Sequence, residues 1–482
     1  AASASLSPSA PSQRRTSGIL KRKERELRLP NSHRFAKMQT TSIPTSTSTA
    51  AAAAASTSSS DALLLAINPR VAALKPSKTM ALTDKARELK EAGKDVIGLA
   101  AGEPDFDTPA AIVEAGVEAL RTGITRYTPN AGTPALRAAI ASKLRNENGL
   151  TNISAEDVVV SNGAKQSIWQ ALLATCAEGD EVVIPAPFWV SYPEMARMAG
   201  AVPVVVRSSA AEGFLMSAEA LEKALTPKSR LLILCTPSNP SGAVYSRKAL
   251  EDIAAVVARH PRLLVLSDEI YEYICYPPAE HVAFGSLPGM AQRTLTVNGF
   301  SKSYAMTGWR LGYLAAPKPF SSACSVIQSQ STSGASSIAQ HAAVAALTGL
   351  GGENGGEPVA EMVRAFQERR DYVCSRLRAI PGISLPSTPD GAFYALPDVS
   401  ALVGEGAVGL SGGFGPVADG DALCSYLLQE ALVALVPGEA FGAPECVRLS
   451  YAASMDTLKE ALDRIEGALS EGRYRRPAAA KK

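Results

Sequence analysis

A chain of 482 residues is too long for a single hydrophobic core, so two or more domains are expected. Its 48 Lys and Arg against 46 Asp and Glu leave it nearly neutral, which argues against a nucleic-acid-binding surface. No apolar run approaches the roughly 18 residues of a membrane-spanning helix, the 61–67 stretch being far too short, so no membrane partner is expected.

The charge is unevenly spread. Residues 1–60 carry a net +7, which leaves −5 for the remainder. This segment is rich in Ser, Thr, Ala and Arg, has no acid between Glu26 and Asp61, and has no charge at all from 39 to 60. It cannot build a core, so residues 1–66 are expected to be a disordered presequence. Basic, hydroxylated and acid-poor composition is that of an organelle transit peptide, and the Ala/Ser/Thr richness leans toward a plastid. A low-complexity tail without an address has a similar composition, and Met38 is a candidate start. The seven cysteines, at 176, 235, 275, 324, 374, 424 and 446, form no Cys-x-x-Cys pair and have no histidine at ligand spacing. No metal site or disulfide framework is expected, and a reducing compartment fits.

From residue 67 an extended arm, Asn68-Pro69-Arg70, leads through Lys75-Pro76-Ser77-Lys78-Thr79 into a helix over 80–92 stopped by Gly93. A short strand over 96–99 runs into the loop Gly102-Glu103-Pro104-Asp105-Phe106-Asp107-Thr108-Pro109, whose Pro109 starts the next helix. Helical runs at 110–121, 133–148, 165–176, 192–199, 217–225 and 246–260 then alternate with strand-like runs. These lie at 158–160, 181–184, 202–206, 231–235, 263–267 and 295–297, with a further apolar run at 311–314. Alternation of this kind predicts an α/β domain on a largely parallel sheet, with its ligand beyond the carboxyl ends of the strands. The texture changes after 347. A Gly-rich break over 349–358 precedes a charged helix over 360–379, a Gly-rich loop over 409–420, a helix over 421–431, a strand over 433–436 and a last helix over 455–469. The expected division is an arm and part of a small α+β domain at 67–100, a large domain at 101–348, the rest of the small domain at 349–473, and a tail at 474–482. The glycines at 412, 413 and 415 follow no strand and are expected to form a loop, not a nucleotide cradle.

The residues that could carry chemistry fall at strand ends. Ser161-Asn162-Gly163-Ala164-Lys165 opens a helix, where free N–H groups make an anion site, although many such turns bind nothing. Pro185-Ala186-Pro187-Phe188-Trp189 places a flat ring at a strand exit; it could stack on a planar ligand or simply pack in its loop. Asn239 lies in Thr236-Pro237-Ser238-Asn239-Pro240-Ser241-Gly242, a turn whose Asn239–Pro240 bond could be cis. Asp268, in Ser267-Asp268-Glu269-Ile270-Tyr271, ends an apolar strand, and its charge requires a cationic partner. Lys302 lies in Asn298-Gly299-Phe300-Ser301-Lys302, and Arg310 lies eight residues on in Gly308-Trp309-Arg310. A lysine neutralised by burial is a nucleophile toward carbonyls, and an arginine nearby could pair with a phosphate; alone, the stretch reads equally as a solvated surface loop.

Taken together and in this order, these motifs resemble the fold type I pyridoxal-phosphate enzymes, specifically the class I aminotransferases, from about residue 68 to the last helix. The resemblance implies an α/β large domain, a smaller α+β domain, and pyridoxal 5'-phosphate held as a Schiff base on Lys302, which also moves the proton between Cα and C4′. It implies that Asp268 keeps the pyridine nitrogen protonated and that Asn239 and Tyr271 bind the ring oxygen. Trp189 would stack on the ring, and Gly163, Ala164 and Arg310 would hold the phosphate. Tyr127 resembles the tyrosine that reaches a phosphate across a homodimer interface. Many relatives carry Ser three residues before the Schiff-base lysine; here Gly299 stands there, so one phosphate contact is in doubt. Arg448, in Val447-Arg448-Leu449-Ser450, matches the arginine that clamps the substrate α-carboxylate, and Gly102 matches a substrate-contacting backbone position in a lid.

The 102–109 and 188–193 segments resemble the subgroup 1b aspartate aminotransferases, in which a lysine at the position of Lys165 pairs with a distal carboxylate. The 75–79 segment resembles the plastid branch, whose members also transaminate prephenate to arogenate; Thr79 and Lys165 are the positions tied to prephenate. The expected substrates are therefore aspartate or glutamate and 2-oxo acids, prephenate included. A plain aspartate aminotransferase remains open, as does a Cα–S lyase or aminocyclopropane-carboxylate-type synthase on the same scaffold. A regulatory domain that only binds the cofactor would need a DNA-binding module, and no helix-turn-helix pattern is present in the first sixty residues.

Overall fold

The computed structural model describes residues 67–72, 74, 78–350, 355–404 and 417–470, with the backbone alone at 78–83 and 470. The presequence, the tail, most of the 409–420 loop and Lys75-Pro76-Ser77 lie outside these residues. Seven strands form the central sheet: β1 (Val158–Ser161), β2 (Glu181–Ala186), β3 (Val202–Arg207), β4 (Ser229–Cys235), β5 (Leu264–Asp268), β6 (Thr294–Gly299) and β7 (Gly312–Ala315). Their order is β1-β7-β6-β5-β4-β2-β3, all parallel except β7, which is antiparallel to β1 and β6. The expected α/β class and largely parallel sheet are present.

The sheet is covered on both faces, which is why its central strands read as continuous apolar runs. On one side Val158, Val160, Tyr313 and Ala315 pack with Ile112, Leu136, Ile140 and Ala342. On the other, Val159, Val182, Ile184, Leu231 and Val297 pack with Ile168, Leu172, Met195 and Cys324. Every residue of β5 and β6 is buried, the polar ends Asp268 and Asn298 included. Those ends were expected just outside the strands; the ladder carries them in. It pairs Cys235 with Asp268 and Asp268 with Val297.

The periodicity reading missed two helices that complete the layers, Lys318–Ser329 and Ser337–Thr348. The first buries the polar Ser321 and Gln328 beside Cys324, and the Ala-rich second carries little apolar contrast between faces, yet Ala339, Ala342, Ala343 and Ala346 are all buried. The arm is also corrected. Pro69–Ala72 is one helical turn, not an extended segment, because the Asn68 side chain accepts from the Arg70 N–H at 3.0 Å and Pro69 takes the first helical position.

Two segments far apart in sequence meet. Ile97–Gly98 pairs in parallel with Val433–Ala434, and Ala86, Val96 and Ala100 share a core with Leu428, Val436 and Phe441. The expected 421–431 helix is Gly420–Tyr426 followed by a π-turn, Leu427–Ala431, that ends at Leu432 with φ 56. The expected 433–436 strand divides, because Val436–Pro437 joins a different sheet, antiparallel to Val447–Ser450, which in turn pairs with Tyr394–Ala395. That sheet brings Arg448 and Tyr394 to the carboxyl ends of the large sheet.

Candidate active site

Lys302 follows β6 in a run of turns and donates its amine to the Gly102 carbonyl oxygen. Burial pushes its pKa down from 10.5 to about 8; Glu103 and Asp268 pull it back, while Arg448 and Arg310 lower it further. The result is an amine with a substantial neutral fraction near physiological pH, the form that attacks a carbonyl.

Asp268, at the end of β5, is 4% exposed and accepts from the Tyr192 hydroxyl at 2.6 Å and the Ile270 N–H at 3.3 Å. Burial raises its pKa to about 6 despite these donors. Two neutral donors leave a buried carboxylate short of a counter-charge, so the site favours a cationic N–H at this point. Tyr192 was not anticipated as a site residue. It follows Trp189 by three in the Ser191–Met198 segment, and its ring meets Trp189 edge-on at 5.4 Å.

The turn at Gly163 is shaped to receive an anion. Gly163 has φ +85, and a Cβ there would lie 2.6 Å from an Arg310 terminal nitrogen. Arg310, itself at φ 54, donates to the Thr307 carbonyl at 2.9 Å and the Asn162 carbonyl at 3.3 Å. Two non-glycine residues in this loop, Ala305 and Arg310, have left-handed backbone, a strain that persists only where the surroundings hold it. Ala164 and Lys165 open the helix Ala164–Thr175. The Lys165 amine lies 5.2 Å over the Trp189 ring, and partial desolvation together with Arg310 lowers its pKa. Two cations at a helix N-terminus oppose the dipole, a cost that a bound anion offsets. At 299 a Cβ would lie 3.0 Å from Gly312 Cα and 3.1 Å from Ile270 Cδ1, so the backbone leaves little room for a serine.

Arg448 closes the site from the other side. It is 2% exposed and donates to Asn239 Oδ1 at 3.0 Å and to the Ala100 carbonyl at 2.6 Å. Its guanidinium lies 4.6 Å from the Tyr394 ring and 4.9 Å from the Phe441 ring. Its Nε is buried without a hydrogen-bond partner. A buried guanidinium with a spare donor suits a bidentate carboxylate. Asn239 precedes a cis bond to Pro240 and is buried. Tyr271 meets Tyr394, hydroxyl to hydroxyl, at 2.9 Å. Tyr394 is the second residue that sequence reasoning missed, because Ala-Phe-Tyr-Ala-Leu at 392–396 has the texture of plain core.

Lys302, Asp268, Asn239, Tyr271, Arg448 and the Gly102 backbone are thus linked by contacts or by the strand ladder, with Gly163, Arg310, Lys165 and Trp189 beside them. Tyr127 stands apart and is fully exposed. Thr79 lies in the helix Lys78–Glu91, with its side chain outside the described residues.

The "Aminotransferase class I and II" family model matches residues 94–465. The chain belongs to this aminotransferase family. Among characterised relatives, a "Bifunctional aspartate aminotransferase and glutamate/aspartate-prephenate aminotransferase" of Petunia hybrida is 61% identical over 405 residues, covering 84% of this chain and 83% of the relative. An "Aspartate aminotransferase" of Pinus pinaster is 58% identical over 417 residues, covering 86% and 82%. The crystal structure of the aspartate aminotransferase from Rhizobium meliloti matches with a TM-score of 0.78 at 41% identity, covering 84% of this chain and 98% of that one. Within this aminotransferase, the depressed Lys302 amine, the cation-short Asp268 and the Gly163–Arg310 cradle fit an aldehyde cofactor that carries a pyridine and a phosphate, and the orphaned Arg448 Nε fits a carboxylate beside it.

Proposed function

We propose that this aminotransferase uses pyridoxal 5'-phosphate to move an amino group between aspartate or glutamate and 2-oxo acids, prephenate among them. The observation that carries the reading is the spacing of roles around Lys302: a depressed amine, a buried acid, and a buried guanidinium with an unused donor. When bound, the cofactor would supply an electrophilic carbon and an electron-withdrawing ring.

In this reading Lys302 would hold the cofactor's aldehyde carbon and would carry the proton at the substrate Cα. Asp268, which accepts from the Tyr192 hydroxyl, would take the pyridine N–H. Tyr271 and Asn239 would meet the ring oxygen and Trp189 would cover the ring face. Gly163, Ala164 and Arg310 would hold the phosphate, and Arg448 with the Gly102 backbone would hold the α-carboxylate. Lys165 would reach the distal carboxylate of a dicarboxylic substrate, which argues against a lyase that takes uncharged side chains. Tyr127, wholly exposed here, supports a homodimer in which it reaches the partner's phosphate site; a single-chain mass by light scattering would overturn that. The basic, acid-poor residues 1–66 support a plastid address, and a reporter fused to them that stayed in the cytosol would sink it.

The test is a pair of half-reactions on residues 67–482. Aspartate or glutamate is expected to convert the bound cofactor's visible band, and prephenate to restore it. Restoration by oxaloacetate or 2-oxoglutarate alone would leave a plain aspartate aminotransferase and remove Thr79 as a prephenate marker. In the same assay Lys165→Ala is expected to cost dicarboxylic substrates about 10- to 100-fold in kcat/KM and monocarboxylic ones little. Equal losses would place Lys165 with the cofactor or the fold.

A further inference from the structure

Tyr394 touches three parts of the site at once. Its hydroxyl is 2.9 Å from the Tyr271 hydroxyl. Its ring lies under the Arg448 guanidinium at 4.6 Å. The Gly102 backbone runs so close that a Cβ there would fall 2.7 Å from the Tyr394 hydroxyl oxygen. The strand Tyr394–Ala395 holds it there by pairing Tyr394 with Ser450, two residues from Arg448. Tyr394 is fully buried and cannot leave this contact without unpacking Phe393, whose ring centroid is 4.7 Å away.

Two phenols that share one hydrogen bond hold two protons and use one. The remaining proton is free for a third partner, and which phenol keeps it decides where it points. Burial pushes both phenols above their ordinary pKa, so both protons are present at working pH. The other titratable groups facing the pair are Cys235, Arg448 and Glu103. The Cys235 thiol is itself pushed up to about 12 by burial, Arg448 offers only donors, and Glu103 accepts from the Thr307 hydroxyl at 3.1 Å, so among the described residues the hydrogen-bond partner of the Tyr271 hydroxyl is Tyr394.

We propose that Tyr394 is a positioning residue: its hydroxyl donates to the Tyr271 oxygen and so commits the Tyr271 proton to the ring oxygen of the cofactor. Donation from Tyr394 also polarises Tyr271 and makes it the stronger donor, as in any chain of hydrogen bonds in a low-dielectric wall. The inference rests on the reading above that Tyr271 meets that ring oxygen. Because the same ring supports Arg448, the small sheet that carries the carboxylate-binding arginine also sets the electronic state of the cofactor.

The test is the pH midpoint of the visible absorbance change of cofactor-loaded enzyme, measured without substrate for wild type, Tyr394→Phe, Tyr271→Phe and the double variant. Tyr394→Phe is expected to raise the midpoint by about half to one pH unit, the size of one lost hydrogen bond. The double variant should match Tyr271→Phe alone, because Tyr394 acts only through Tyr271. The KM for aspartate should stay within about twofold in Tyr394→Phe, since phenylalanine keeps the ring under Arg448; a large rise in KM with an unmoved midpoint would mean that Tyr394 merely supports the arginine. A wild-type midpoint in Tyr394→Phe, or shifts that add in the double variant, overturns the proposal while leaving the cofactor reading intact. No shift in Tyr271→Phe overturns both.

Discussion

Replacing Lys302 with alanine is expected to lower transamination by about 10⁴-fold or more, because in the proposed function one amine serves as both covalent anchor and proton carrier. The visible band that arises from an amine–aldehyde linkage should vanish in this variant, and its retention would refute the assignment. The depressed pKa adds a pH signature. Capture of free pyridoxal phosphate by the cofactor-free protein should accelerate as pH rises toward about 8, where half of the Lys302 amine is neutral, and level off above it. The same shift bears on stability. A lysine held at about 8 when folded and 10.5 when unfolded binds less proton in the folded state, so its burial costs stability below pH 8. The cost shrinks as pH rises from about 8 to 10.5 and is gone above that. Lys302→Met, which keeps the apolar stem, is therefore expected to stabilise the cofactor-free protein at pH 7 by about 3 kcal/mol in urea unfolding. A gain that persisted at pH 11 would point to packing instead. A functional amine that destabilises its own fold is the ordinary cost of a reactive site.

Arg448→Lys is expected to raise the KM for amino donors by about 100-fold, close to 3 kcal/mol, with the visible band unchanged. Lysine keeps the charge but loses the fork that reaches Asn239 and the Ala100 carbonyl, and it stacks poorly between Tyr394 and Phe441. A loss confined to kcat, with KM unmoved, would mean that Arg448 acts on the chemistry and not on carboxylate binding.

The large sheet and its site were legible because each β-α unit writes a local pattern. An apolar strand of four to seven residues ends in a turn, and polar residues at that turn have no core role to hide behind. Gly163, Asn239, Asp268 and Lys302 were visible for that reason. The helix at 318–329 was not, because its buried face includes the polar Ser321 and Gln328, and the helix at 337–348 was not, because alanine buries well against a flat neighbour without marking a face. Tyr192 lies one helical turn beyond Trp189 and could have been found by asking which side chain that turn aims back at Asp268.

From the sequence alone came the α/β class, the order of motifs along the chain and, through the family resemblance of short segments, the candidate amine, acid and two arginines. Only the tertiary structure could show that Arg448, far along the chain, meets Asn239 at 3.0 Å, or that Tyr394 closes on Tyr271. Those contacts depend on a strand that divides at Leu435 and on two distant segments that pair through Ile97–Gly98 and Val433–Ala434. No local pattern encodes such partners, because their energy comes from burying surfaces hundreds of residues apart against each other.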